Sequence, residues 1–137
     1  MLMQTTINNA LRVVLVEDSR VLTERIAEAI SQISNVELVA TVDSEPAALS
    51  AVKRSNVDVL ILDLHLKQGT GFGVMRALAR VPVRPCIVIL TNYDLPEYKS
   101  AAMALGARYF LDKARDYDRL PDVLKEISDN RHATLNS

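Results

Sequence analysis

The run Val59-Leu60-Ile61-Leu62 ends on the carboxylate of Asp63 and passes through Leu64 to His65. Four consecutive apolar residues of this kind suit a strand covered on both faces, the situation in a parallel sheet with helices on each side. Gly69, Gly71 and Gly73 lie just beyond, so the strand delivers an acid into a glycine-rich loop. In α/β folds the chemistry collects at the carboxyl ends of the strands. Asp63 is therefore the first candidate functional residue.

The rest of the chain repeats the pattern. Residues 11–16 form a second buried run, closed by Glu17 and Asp18. Ser19 can accept from a free first-turn N–H as an N-cap. Leu22, Ile26, Ala29, Ile30 and Ile33 follow at helical spacing, predicting a helix over residues 20–33. Residues 36–42 suit a strand with one less buried face. Pro46, tolerated in a first turn, leads into a short Ala-rich helix ending near Arg54. Beyond the Asp63 strand, Phe72, Met75, Leu78 and Ala79 mark a third helix, which Pro82 and Pro85 close. Residues 86–90 are another doubly buried run, ending in Thr91. A fourth helix spans residues 96–105 with Gly106 as its C′ residue. Residues 107–111 form a short last strand before Asp112 and Lys113, and Leu120, Val123, Leu124 and Ile127 predict a final helix. Residues 1–10 read as a flexible lead-in and 131–137 as a polar tail, leaving 11–130 as one domain. Five strands alternating with five helices predict a parallel, doubly wound sheet with right-handed crossovers.

Composition narrows the functions available. The chain has 137 residues, enough for one well-buried core. Sixteen Lys and Arg against 17 Asp and Glu give a net charge of -1, which argues against direct DNA binding by this chain. No apolar run approaches the roughly 18 residues of a membrane span, so no membrane contact is expected. With Cys86 the single cysteine and no secretory pattern at the start, the expected compartment is the cytoplasm.

In a doubly wound sheet the strand ends share one edge, and a switch point sets the first and third strands side by side. Glu17, Asp18 and Asp63 should then converge. Three crowded carboxylates repel one another unless a cation sits among them. Hard oxygen ligands at a partly open site favour Mg²⁺. Thr91 and Lys113 add a hydroxyl and a positive charge, groups suited to holding a phosphoryl group. A carboxylate can itself be the nucleophile in phosphoryl transfer.

Together these features resemble the receiver domain of two-component response regulators over about residues 11 to 129. The matching pieces are Val-Glu-Asp-Ser at 16–19, Leu-Asp-Leu-His-Leu at 62–66, Ile-Leu-Thr at 89–91 and Gly-Ala-Arg-Tyr-Phe-Leu-Asp-Lys at 106–113. The resemblance implies a flavodoxin-like (βα)5 sandwich of strand order 2-1-3-4-5. It implies that Asp63 accepts a phosphoryl group from a phosphohistidine of a sensor histidine kinase or phosphotransfer protein. Glu17, Asp18, Asp63 and the backbone carbonyl of His65 would hold Mg²⁺, while Thr91 and Lys113 would bond phosphoryl oxygens. Phe110 falls where the family keeps a switching aromatic, although a core role for it is open. Thr91 and Phe110 would reshape the face of the fourth helix, fifth strand and fifth helix, through which a downstream protein or a second copy would dock. Such a module phosphorylates and slowly dephosphorylates itself and is not a dedicated enzyme.

Four positions depart from the family's habit. Ala114 follows the lysine where proline is usual, so a trans bond is expected there, a non-proline cis bond costing about 3 kcal/mol. Lys67 replaces a frequent proline, and Asn92 a small residue whose exchange would restrict access to Asp63. Tyr109 replaces a frequent glycine, so either Tyr109 or Phe110 is the mobile ring. A flavin carrier of the same strand order is disfavoured, because Val-Glu-Asp-Ser would repel a phosphate. A phosphohydrolase is disfavoured because His65 stands where its second aspartate belongs. A receiver that binds partners without phosphorylation is the alternative. Too short a stretch follows the last predicted helix for a helix-turn-helix domain. A free-standing regulator and a piece of a longer one both fit.

Overall fold

The structure, a computed structural model, describes residues 9–135. Its elements are β1 (Leu11–Val16), α1 (Arg20–Ser31), β2 (Val36–Val42), α2 (Glu45–Arg54), β3 (Val59–Leu62), α3 (Gly71–Leu78), β4 (Cys86–Thr91), α4 (Pro96–Ala104), β5 (Tyr109–Asp112) and α5 (Leu120–Leu135), with a 3₁₀ turn at Tyr117–Arg119. The five strands are parallel in the order β2-β1-β3-β4-β5. This is the doubly wound sheet that the alternating pattern predicted, in the flavodoxin-like order that the family resemblance implied.

Side-chain alternation along the strands divides the core in two. Val13, Leu15, Val59, Ile61, Val88, Leu90 and Leu111 face Ile26 and Ile30 of α1 and Leu120, Val123 and Leu124 of α5. Val14, Val16, Leu60, Leu62, Ile87 and Ile89 face Ala48 and Ala51 of α2, Val74, Met75 and Leu78 of α3, and Ala102 of α4. All four residues of β3 are fully buried. The central strand therefore cannot shift without uncovering a large side chain, each worth about 1.5–3 kcal/mol of burial. That rigidity fixes where Asp63 emerges.

Caps set the helix starts. The Ser19 hydroxyl accepts from the Leu22 N–H, Ser44 from Ala47 and Thr70 from Gly73. Gly106, at φ 107°, closes α4 in the left-handed conformation expected of a C′ residue.

Two expectations need correction. The last strand begins at Tyr109, not at residue 107, because the Ala107 N–H closes α4 on Ala102 O. The chain beyond Asn130 is helical as far as Leu135, not a separate polar tail. Arg131 Nη1 reaches Ala10 O at 3.3 Å and Asp58 Oδ2 at 3.1 Å, fastening the end of α5 to the strand-start edge of the sheet. Of the expected lead-in, residues 1–8 lie outside the described residues, as do 136 and 137.

Candidate functional site

Val16 pairs with Leu62, so the residues after β1 and β3 leave the sheet side by side. The Asp63 N–H donates to Val16 O at 3.1 Å, and the Glu17 N–H to Val42 O at 2.9 Å. Carboxylate oxygens of Glu17, Asp18 and Asp63 consequently lie within 4.8 Å of one another. Glu17 and Asp63 are buried, each 5% exposed, while Asp18 is open to solvent.

Lys113 arrives from the far side of the sheet. Thr91 pairs with Asp112 across β4 and β5, and the Lys113 N–H donates to Thr91 O at 2.9 Å. Its Nζ then lies 2.7 Å from Glu17 Oε1 and 2.9 Å from Asp63 Oδ2. Burial pulls the Lys113 ammonium down, but its hydrogen bonds to Glu17 and Asp63 outweigh this and hold it above the usual lysine value. Burial pushes the Glu17 carboxyl above its usual value, resisted by Lys113 and by the Ser19 N–H. That N–H donates to Glu17 Oε2 at 2.8 Å.

Three carboxylates thus gather where one ammonium bonds two of them, Glu17 and Asp63, an arrangement left with excess negative charge. The donors are all carboxylate oxygens, the hard ligand class that Mg²⁺ takes. On the open side, Glu17 and Asp18 line a cavity of about 500 Å³ with Thr23, Thr41 and Asp43, room for a hydrated ion. The residues present fit such a metal.

The other predicted residues fall around this centre. Thr91 ends β4 fully buried, its Oγ1 accepting from the Tyr93 N–H at 3.3 Å. Its hydroxyl proton is thereby left to donate. His65 is exposed, and its N–H lies 3.4 Å from Asp63 Oδ1. The His65 ring leans on Tyr93, with centroids 3.9 Å apart. Phe110 is half-buried and packs on the face of α2, α3 and α4, opposite Tyr109. Tyr109 belongs to the α5 side, where its hydroxyl donates to Glu126 Oε2 at 2.6 Å. Phe110 is the ring on the α4 side.

At the family's proline position, Ala114 follows Lys113 through a trans bond. It uses the N–H that proline would lack: Asp112 Oδ1 accepts from both the Ala114 and Arg115 N–H groups at 2.8 Å.

The glycine loop, visible in the sequence, takes its role from close backbone contacts that the sequence does not show. Gly71 N–H donates to Leu64 O at 3.0 Å, and a Cβ on Gly71 would collide with the carbonyl oxygen of Asp63. Glu45 Oε1 accepts from the Thr70 N–H at 3.2 Å and braces the glycine loop. Tyr93 meets His65, and Asp94 meets Arg115, only in the folded chain.

Fold and edge chemistry together define a doubly wound α/β domain whose strand-end edge gathers acids, a lysine and a hydroxyl. Residues 13–125 match the response regulator receiver domain family, and the chain belongs to that family of two-component signalling modules. Among curated relatives, the sensory transduction protein LytT of Enterococcus faecalis is 27% identical over 118 residues, covering 86% of this chain and 48% of its own. The nitrate/nitrite response regulator protein homolog of Haemophilus influenzae is 30% identical over 118 residues, 86% of this chain and 57% of its own. The chain spans about half the length of these relatives. The solved receiver (REC) domain of AraT, a response regulator from Geobacillus stearothermophilus, superposes with a TM-score of 0.80 at 26% identity, covering 92% of this chain and 98% of that one. Among the described residues, no helix is long and apolar enough to cross a membrane.

Proposed function

We propose that this domain receives a phosphoryl group on Asp63 from a phosphohistidine of a sensor kinase or phosphotransfer protein. The observation that carries the reading is the Lys113 ammonium, held by hydrogen bonds to Glu17 and Asp63 beside Asp18. In the transfer, a carboxylate oxygen of Asp63 forms a P–O bond as the donor's P–N bond breaks. The electron pair of that bond stays on the donor's ring nitrogen, and the ring leaves as neutral imidazole, keeping the proton its other nitrogen already carried. Lys113 Nζ, 2.9 Å from Asp63 Oδ2, is placed to neutralise charge gathering on the phosphoryl oxygens. Thr91, its hydroxyl already accepting from Tyr93, donates to another of those oxygens. Glu17, Asp18, Asp63 and the His65 carbonyl are the groups that would hold Mg²⁺, which supplies further charge neutralisation when bound.

The consequence is a switch and not turnover. A phosphoryl group bonding Thr91 better in one arrangement shifts an existing equilibrium. Phe110 follows on the α4 side, and the α4–β5–α5 face presents the result to a protein target or a second copy.

The test is incubation with acetyl phosphate, with and without Mg²⁺, followed by intact mass measurement. A metal-dependent gain of one phosphoryl group, absent in Asp63→Asn, is expected. No gain under any condition would leave a phosphorylation-independent binding module.

A further inference from the structure

The charges of this chain are unevenly mixed. No Asp or Glu occurs over residues 64–93 or 98–111, yet Arg76, Arg80, Arg84 and Arg108 fall there. Elsewhere Arg12, Arg20, Arg115, Arg119 and Arg131 each reach a carboxylate, and Arg25 lies over the Tyr117 ring. Among the described residues, Arg54, Arg76, Arg80, Arg84 and Arg108 make neither contact. They sit where α2 and α3 end and where β4 and β5 begin, at the sheet edge opposite Asp63.

Two of them share a cavity. Arg84 and Arg108 line a space of about 300 Å³ with Pro85, Cys86, Ile87 and Gly106. Its walls are fixed by backbone: the Arg108 N–H donates to Ile87 O at 2.9 Å, and the Cys86 N–H to Asp58 O at 2.8 Å. Buried Pro85 confines the Arg84 backbone to extended conformations. Gly106 has no side chain, and Arg84 Nη1 lies 3.8 Å from the place its Cβ would take. The neighbouring acids are already engaged. Asp58 Oδ2 accepts from the Arg12 N–H and from Arg131, and Glu126 Oε2 from the Tyr109 hydroxyl. Two guanidinium groups bordering one cavity repel each other unless an anion lies between them. A single carboxylate is used up by one guanidinium fork. A phosphate offers three acceptor oxygens and up to two charges, enough for both.

We propose that this cavity binds the phosphate group of a small phosphomonoester, held by Arg84 ahead of β4 and Arg108 ahead of β5. The ligand is bound intact, and the site stands independently of the phosphoacceptor reading of Asp63. It ties together the starts of the two strands that end at Thr91 and Asp112, beside Lys113.

Cys86, the single cysteine, stands in the cavity wall and reports occupancy. Burial pushes its thiol up and Arg108 draws it down, so an anion on Arg108 slows alkylation through both cover and charge. Alkylation by neutral iodoacetamide is followed by intact mass, with inorganic phosphate and glycerol phosphate as probes and sodium chloride at matched ionic strength as reference. Both probes should slow it saturably, by about threefold or more. Amide spectra should show saturable shifts centred on residues 84–87 and 106–109. Arg84→Ala and Arg108→Ala, changes at exposed side chains, should each weaken the amide-detected binding about tenfold. Arg84→Lys keeps the charge but loses the fork and should not restore it. Arg119→Ala should bind as wild type does. Equal slowing by sodium chloride would mean screening alone and overturns the proposal. So does acetate binding as tightly as phosphate, or inorganic phosphate binding without glycerol phosphate. Undiminished binding in Arg84→Ala, or shifts centred on Asp18 and Asp63, overturns it as well.

Discussion

Replacing Lys113 with methionine removes the one ammonium from a site of three carboxylates and keeps most of the side chain's bulk. Two of those carboxylates, Glu17 and Asp63, are buried, and the Lys113 side chain is itself only 12% exposed, so water screens the loss poorly. Stripping one partner from such a pair costs about 3 kcal/mol. For a domain of this size that is a fall in Tm of about 10 °C. The pH dependence has a definite sign. Burial already raises the Glu17 carboxyl above 4.5, and Lys113 is the first of the groups that hold it down. In the variant it rises further. A carboxyl whose folded pKa exceeds its unfolded value contributes stability below the unfolded value and loses it as pH rises through the folded one. The deficit in Lys113→Met should therefore be full at neutral pH and shrink as pH falls towards 4.5. Added Mg²⁺ should stabilise the variant more than wild type, because a cation then meets less positive competition. Urea unfolding followed by circular dichroism, in EDTA and in Mg²⁺ from pH 5 to 8, measures all three effects. A variant as stable as wild type in EDTA at neutral pH, or one indifferent to Mg²⁺, would refute the charge-sharing argument.

Other perturbations probe the supports. Gly71→Ala forces a methyl against the Asp63 carbonyl and within 3.0 Å of Leu64 Cα, and should cost about 1–3 kcal/mol in urea unfolding while slowing phosphorylation. Tyr109→Phe should cost about 1 kcal/mol at neutral pH through loss of the Glu126 hydrogen bond. That bond and burial push the Tyr109 phenol from 10.0 up to about 12. Its contribution is complete below pH 10 and lost as pH climbs towards 12, and the difference between wild-type and variant phenolate absorbance isolates it. Arg131→Ala should release the end of α5, costing about 1 kcal/mol, with faster amide exchange confined to the last turns of the helix.

The strands were readable because doubly buried parallel strands leave an unmistakable apolar run, as at Val59–Leu62 and Cys86–Thr91. Glu17, Asp18, Asp63 and Lys113 were readable for a related reason: each stands within two residues of a strand's carboxyl end, and the topology carries strand ends to one edge. Strand alternation could also have separated Tyr109 from Phe110, but not which face would carry α4. What the sequence conceals is held by tertiary contact. The last turns of α5 have no apolar period, and the bond that keeps Arg131 on Ala10 joins residues 121 positions apart. Asp94 and Arg115 look like solvated loop charges until the fold sets them 2.7 Å apart. His65 offers the sequence reading only its backbone carbonyl, and the stacking of its ring on Tyr93 emerges only in the fold.

The central claim is chemical and local: on the proposed function, a carboxylate oxygen of Asp63 is the atom that gains the new P–O bond. An acyl phosphate is reduced by borohydride to the alcohol, so an aspartyl phosphate becomes homoserine where an unmodified carboxylate is untouched. Wild-type protein treated with acetyl phosphate and Mg²⁺, reduced and sequenced by peptide mass spectrometry, should carry homoserine at position 63 and nowhere else. Aspartate recovered intact at 63, or homoserine at 18 in its place, would contradict the account.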